Sequence, residues 1–76
     1  MKRGEYYLDT YYEPETIVIH IIETLYDGDS FKGNVIYTSD PDRIGMSTVM
    51  IGYSDDPELI PVVMLKIDGK EIPIKL

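Results

Sequence analysis

The chain has no cysteine, no tryptophan, one histidine and one phenylalanine. Without cysteine, neither a disulfide framework nor a thiolate zinc site is open to it. The lone His20 lies in an isoleucine run with no local nucleophile beside it, which speaks against a hydrolytic triad. Its expected place is half-buried in a sheet or helix. No apolar run approaches the ~20 residues of a membrane span, and no secretory signal pattern opens the sequence. A membrane is therefore not an expected partner, and a cytoplasm is the expected compartment. Cations are scarce as well: seven Lys and Arg face fourteen Asp and Glu, for a net charge of -7. Phosphate binding needs clustered Lys and Arg, so no nucleic acid is expected to bind. A basic protein surface is what this charge attracts.

What the chain does have is aliphatic bulk. With 43% apolar residues, eleven isoleucines among them, it can build a core and is not composed like a disordered segment. Its 76 residues fit a single domain, residues 1–76. A domain of this size buries only about 60% of the surface its unfolded chain exposes, so good strand pairing or a partner must carry its stability.

The acids are unevenly placed. Gly4 to Phe31 holds Glu5, Asp9, Glu13, Glu15, Glu23, Asp27 and Asp29, and no Lys or Arg. Ile44 to Leu65 holds Asp55, Asp56 and Glu58, again with no base. A merely solvated surface usually interleaves the signs. Two base-free tracts predict one acidic face if folding brings them together.

Lys2 to Tyr12, rich in tyrosine, reads as a strand or an irregular leading segment, interrupted by Pro14. Glu15 to Tyr26 is ambiguous. Its β-branched density favours a strand, while Thr16 as a cap and the spacing of Ile17, Ile21 and Leu25 favour a helix. The expectation is a short strand over Glu15–Ile19, then a helical turn ending at Asp27-Gly28. Further strands are expected at Asn34–Thr38, Ser47–Tyr53, Val62–Ile67 and Glu71–Leu76. Ser39–Gly45 is a loop by its Pro and Gly content, and Ser54–Ile60 a turn. Asp68-Gly69 is a strong hairpin signal. Pro73 lacks an N–H, which sends the last strand to a sheet edge or puts Pro73 where no bond is needed. The fold class is α+β: a small antiparallel sheet of four to five strands with one or two short helices packed on it. The alternative is an all-β barrel of SH3-like type, with no helix between Ile19 and Asp27 and a groove lined by tyrosine.

Catalytic and metal chemistry find little footing. Asp27-Gly28-Asp29-Ser30 begins like a calcium loop, but Phe31 and Thr38 stand where ligands are required. Carboxylate pairs are plentiful, yet so short a chain has little volume for a closed pocket. The protein is therefore expected not to be an enzyme and to use no cofactor. Tyrosines able to stack on bases lack the cations that would accompany them, and read better as strand residues.

Four segments carry a resemblance. They are Glu15-Thr16-Ile17-Val18-Ile19; Val35-Ile36-Tyr37-Thr38; Val49-Met50-Ile51 with Ser54-Asp55-Asp56-Pro57-Glu58; and Pro61 through Leu65 with Asp68, Gly69 and Ile74-Lys75-Leu76. In this order and at similar spacing they resemble the uracil-DNA glycosylase inhibitors made by uracil-DNA phages of Bacillus. The third segment matches most closely, with Val, Met, Ser, Asp, Pro and Glu all in place. There are departures. The family's acidic, proline-initiated helix is replaced by Ile21-Ile22-Glu23-Thr24-Leu25, Val62 stands for its tryptophan, and its N-terminal helix is not evident in Lys2–Tyr12.

The resemblance implies a one-to-one complex with a bacterial uracil-DNA glycosylase, in the host cytoplasm if the protein is phage-encoded, and a monomer when free. That enzyme binds DNA in a basic groove, flips out a uracil and wedges an aliphatic side chain into the minor groove. Inhibitors of the family copy DNA. An edge strand lies in the groove, carboxylates stand where phosphates would, and the wedge enters an apolar pocket between helix and sheet. Carried over by motif, Glu15 and Thr16 would accept hydrogen bonds on the catalytic side, with Ile17 packed beside them. Glu23, Asp55 and Glu58 would replace phosphates. Ile19, Ile22, Val35, Met50 and Ile51 would line the pocket, where methionine adapts well. Two other functions fit the composition: an acidic decoy of a different DNA-binding or host-defence protein, and an SH3-like interaction module.

Overall fold

The computed structural model describes residues 1–39 and 49–76. Six strands occupy them: β1 (Tyr6–Asp9), β2 (Ile17–Leu25), β3 (Ser30–Thr38), β4 (Val49–Tyr53), β5 (Leu59–Ile67) and β6 (Lys70–Lys75). They form one antiparallel sheet in the order β4-β3-β2-β1-β5-β6.

The antiparallel sheet is as expected; the helix is not. β2 runs unbroken from Ile17 to Leu25, through the stretch where a helical turn was expected. The reason lies in the spacing. Ile17, Ile21 and Leu25 recur every four residues, a spacing that suits a helix but is also an even step along a strand. Between them stand Val18, Ile19, Ile22 and Thr24, whose branched Cβ atoms favour the strand, and partners pair on both sides. Among the described residues the only helical turns are two short 3-10 segments, Thr10–Tyr12 and Tyr26–Gly28. The α+β class thus gives way to the all-β alternative, with six strands where four to five were expected. The extra strand is β1, in the tyrosine-rich leading segment. It sits inside the sheet, where the Gly4 N–H donates to the Ile21 carbonyl at 2.8 Å and the Ile21 N–H to Glu5 at 2.9 Å.

β3 starts at Ser30 and β5 at Leu59, both earlier than expected, because β2 and β4 supply partners for the extra residues of β3 and β1 for those of β5. Pro61 lies within β5 without breaking the ladder to β1. Its carbonyl accepts from Leu76, so its missing N–H points to the side where β6 is ending. β6, with Pro73, is at the sheet edge. Most of the expected Ser39–Gly45 loop and the start of the expected Ser47–Tyr53 strand fall on residues 40–48, outside the described residues.

This sheet must be curled. Tyr53 ends β4 opposite Ser30, and Leu59 starts β5 opposite Asp9. On a flat sheet those two points would lie ~32 Å apart, at ~3.3 Å per residue along the strands and ~4.8 Å between them. The six steps from Tyr53 to Leu59 reach ~21 Å at full stretch. They are not stretched, since Asp56 and Leu59 donate back to the carbonyls of Tyr53 and Asp56. Only curling closes the gap. Two register shifts between β2 and β3, one passing over Ile36 of β3 and one passing over Ile22 of β2, supply local bends. Two glycines supply room on the concave side. A Cβ on Gly33 would come within 2.6 Å of Ile19 Cγ2, and one on Gly52 within 2.7 Å of Phe31 Cζ.

The concave face holds the core. Ile17, Ile19, Ile21 and Phe31 are buried together, with Met1, Tyr7, Tyr12, Val35, Met50 and Leu59 packed against them. Each fully buried aliphatic or aromatic side chain contributes about 1.5–3 kcal/mol. On another part of the sheet Tyr6 stacks on His20, its partner across the strands, with ring centroids 4.8 Å apart. His20 is thus a half-buried strand residue.

Beyond Val62, β5 leaves β1 behind and pairs only with β6. Asp68 (φ 52°) and Gly69 (φ 80°) close this ribbon with the left-handed pair that a two-residue hairpin turn requires. Val63 faces Ile74 and Leu65 faces Ile72 across it, all partly exposed.

Candidate partner-binding surface

Ser54–Glu58 crosses between β4 and β5 as a strap, tied down at both ends. At one end the Ser54 N–H donates to the Asp29 carbonyl at 3.0 Å, in the turn between β2 and β3. At the other, Thr10 donates to the Glu58 carbonyl through both its N–H (2.9 Å) and its hydroxyl (2.8 Å). Within the strap, Asp56 accepts the Glu58 N–H at 2.9 Å, a local carboxylate turn. Asp and Pro suit such a turn, which is why this sequence leaves the sheet here.

The strap joins the two base-free tracts. Asp29 of the first and Asp55 of the second line one cleft of about 340 Å³, with Gly28, Tyr53 and Ser54. A hollow of about 260 Å³ adjoins it, lined by Tyr26, Asp29, Ser30, Ile51, Gly52 and Tyr53. At the strap's far end Asp9 is buried, and its carboxylate caps the Thr10–Tyr12 turn by accepting the Tyr11 N–H at 3.1 Å. Burial pushes the Asp9 carboxyl above its ordinary range and the charge of Asp56 adds to this, while the Tyr11 hydrogen bond pulls the other way.

The tyrosines of this surface are unusually placed. Tyr26 is 81% and Tyr53 73% exposed, and Ile51, which lines the same hollow, is 69% exposed. Tyr26 and Asp27 both adopt left-handed backbone, with φ of 51° and 58°. For a bulky aromatic residue this costs about 1–2 kcal/mol. The hydroxyls of Ser30 and Ser54, which line the smaller and the larger hollow respectively, are buried without a hydrogen-bond partner among the described residues. Each such group costs about 1–3 kcal/mol in lost solvation.

The residues singled out from sequence divide into three groups. Asp55 and Glu58 are exposed on the strap, and Asp55 lines the acidic cleft. Glu15 and Thr16 lie together just before β2, bonded to the end of β3. The Thr38 hydroxyl donates to Glu15 Oε1 at 3.1 Å, and Ser39 bonds Thr16 through its hydroxyl and its N–H. They lead into an interior strand; the sheet edges are β4 and β6. Ile17 is buried in the core and so does not pack on a surface beside them. Glu23 is exposed on β2, not on a helix, and stands opposite Lys32 in register.

The expected apolar pocket does not form as one site. Ile19, Val35 and Met50 belong to the core cluster, and Ile19 is fully buried. Ile51, next in β4, points away from that cluster by strand alternation and lines the outer hollow. Ile22 is half-buried at the second register shift of β2. With β2 running through Ile17–Leu25 and no α-helix among the described residues, the space between helix and sheet has no counterpart among them.

Sequence reasoning missed Tyr26, Asp29, Ser30, Tyr53 and Ser54. A signal was present: Tyr-Asp-Gly-Asp-Ser and Gly-Tyr-Ser-Asp-Asp each place a tyrosine beside acids and a serine at a turn. Among the described residues no three His, Asp or Glu side chains converge as a metal site. Nor is any described helix long and apolar enough to cross a membrane. No protein-family model, no curated protein and no solved structure matches the chain.

Proposed function

We propose that this protein is a stoichiometric inhibitor that binds as an acidic imitation of DNA, occupying the basic DNA-binding groove of a bacterial uracil-DNA glycosylase. The observation that carries the reading is the strap. It sets Asp55 beside Asp29 at one end and carries Asp56 and Glu58 toward Asp9 and Thr10 at the other, so that acids of the two base-free tracts meet along one segment. The strap is also the segment that most closely resembles the phage inhibitors, which supplies the choice of target. Charge complementarity of this kind steers encounter and selects a basic partner. Because Ile19, Val35 and Met50 belong to the core, the reading rests on groove occupation by charge, not on a pocket for the enzyme's wedge. The protein acts by binding and performs no catalysis.

Titration of a bacterial uracil-DNA glycosylase with the purified protein tests this. Activity should fall in proportion to added protein and vanish near equimolarity. Full activity at equimolar micromolar concentrations sinks the proposal. Asp55→Asn and Glu15→Ala should each weaken inhibition, and the loss should shrink as salt rises, because screening already weakens the charge contact that each substitution removes.

A second reading is favoured by the connectivity. β1 to β4 form a meander, and β5 returns to pair with β1 in a curled sheet. Such a small barrel, with Tyr26 and Tyr53 beside a cleft, suits an SH3-like module that binds peptides. Capture of partners from a host lysate separates the readings. Recovery of proline-rich proteins supports the module, and recovery of a DNA-binding protein other than the glycosylase supports an acidic decoy.

A further inference from the structure

We infer that the twin hollow between the Tyr26–Asp29 turn and the Tyr53–Asp55 turn is a receptor for one arginine side chain of a basic protein partner. The inference rests on the reading of this surface as acidic and partner-binding, and not on which partner is bound. Four features meet there. Tyr26 and Tyr53, both largely exposed, line the mouth and offer aromatic faces to a cation. Asp29 borders both hollows and Asp55 the larger one, so two carboxylates lie within the same small space. Ile51 and Gly52 give an apolar wall. Ser30, 5% exposed, lines the smaller hollow, and its hydroxyl has no partner among the described residues; the Ser54 hydroxyl is in the same condition beside Asp55.

These features together select the ligand. An apolar ligand would leave the hydroxyls and carboxylates unanswered, and an anion would be repelled. A lysine ammonium is a compact, strongly hydrated point charge. A guanidinium is flat, weakly hydrated and carries five donors in a fixed fork, so it can stack on tyrosine while donating to a carboxylate and a hydroxyl. Its three-carbon stem can lie along Ile51. The hollows, about 260 and 340 Å³, are large enough for one such side chain and too small for a folded segment.

The test uses the intact protein and the peptide acetyl-Gly-Arg-Gly-amide, with citrulline and lysine versions as controls, followed by backbone amide chemical shifts. The arginine peptide should shift Gly28, Ser30, Gly52 and Ser54 saturably, and the citrulline peptide should not. Tyr53→Ala should weaken binding about tenfold, in keeping with loss of a desolvated cation–aromatic contact. Tyr26→Gly should weaken it too while leaving the fold intact, since glycine accepts the backbone angle that Tyr26 holds. Shifts spread over remote acids such as Glu5 and Glu71, lysine binding as tight as arginine, or indifference to both substitutions overturns the inference. None of these measurements involves a glycosylase. If the titration above shows no inhibition and the peptide binds, the choice of enzyme fails and the receptor stands.

Discussion

Asp9 is the residue whose chemistry most depends on its surroundings. Buried where β1 ends, its carboxyl is held above its ordinary pKa of 3.8, first by desolvation and then by the charge of Asp56. An acid raised in this way binds its proton more tightly folded than unfolded. Between the ordinary and the raised value the native state therefore holds more of that proton, and stability falls as pH rises. Asp9→Asn keeps an oxygen to accept the Tyr11 N–H and removes the buried charge. Urea unfolding across pH 3.5–7 (a range chosen about the ordinary aspartate value) should show the variant at least as stable as the parent near neutrality, and with a flatter pH dependence. A loss of more than about 1 kcal/mol at pH 7 would contradict this account. The core offers a second check at this scale. Ile19→Ala should cost about 2–5 kcal/mol and Gly33→Ala about 1–3 kcal/mol, by cavity and by overpacking respectively. None of the environment of Asp9 was legible in the sequence, because burial and the approach of Asp56 both depend on long-range closure. His20 was legible, since one polar residue among aliphatic neighbours in a strand has few other places to go.

Elements were legible where a local rule acts alone. The Asp68-Gly69 turn needs two left-handed residues in succession, and that sequence supplies them cheaply. Pro73 sends β6 to the edge for want of a donor. β2 was half legible: a repeat of four satisfies both the helical and the extended period, so only partners on either side decide it. Far-ultraviolet circular dichroism checks the outcome, with a sheet-dominated spectrum expected and clear helix content counting against the assignment. The β5–β6 ribbon yields a contrast with the core. Ile72 is 37% exposed and, among the described residues, its strand pairs with β5 alone. Ile72→Thr should cost less than about 1 kcal/mol, the scale of a cross-strand pair, against several for Ile19→Ala. Comparable losses for the two would mean that something covers the ribbon. The candidate site was legible in its charge and not in its aromatics, because an exposed tyrosine next to a turn looks like any other strand tyrosine until the turns meet.

At the scale of the molecule, the charge map is the part most plainly written in the sequence. Two base-free tracts predicted one acidic face, and the strap brings residues of both into one cleft. What sequence could not supply is the curl, since the bulges between β2 and β3 and the close approaches at Gly33 and Gly52 arise from packing. Salt provides the whole-molecule test: with fourteen acids against seven bases, raising ionic strength should stabilise the fold by screening self-repulsion while weakening any basic partner. Urea midpoints and inhibition titrations at low and high salt should therefore move in opposite directions. The pairing of β1 with β5 also has a consequence in time. β2, β3 and β1 are near neighbours in sequence and can zip together as successive hairpins. β5 must travel back from the far end of the chain before its contacts with β1 repay the closure of so long a loop. Folding should therefore pass through a barrier in which the first three strands are ordered and the strap is not. Substitutions in the strap should then speed unfolding and leave the folding rate nearly untouched. An acidic surface assembled last in folding is also the first to come apart.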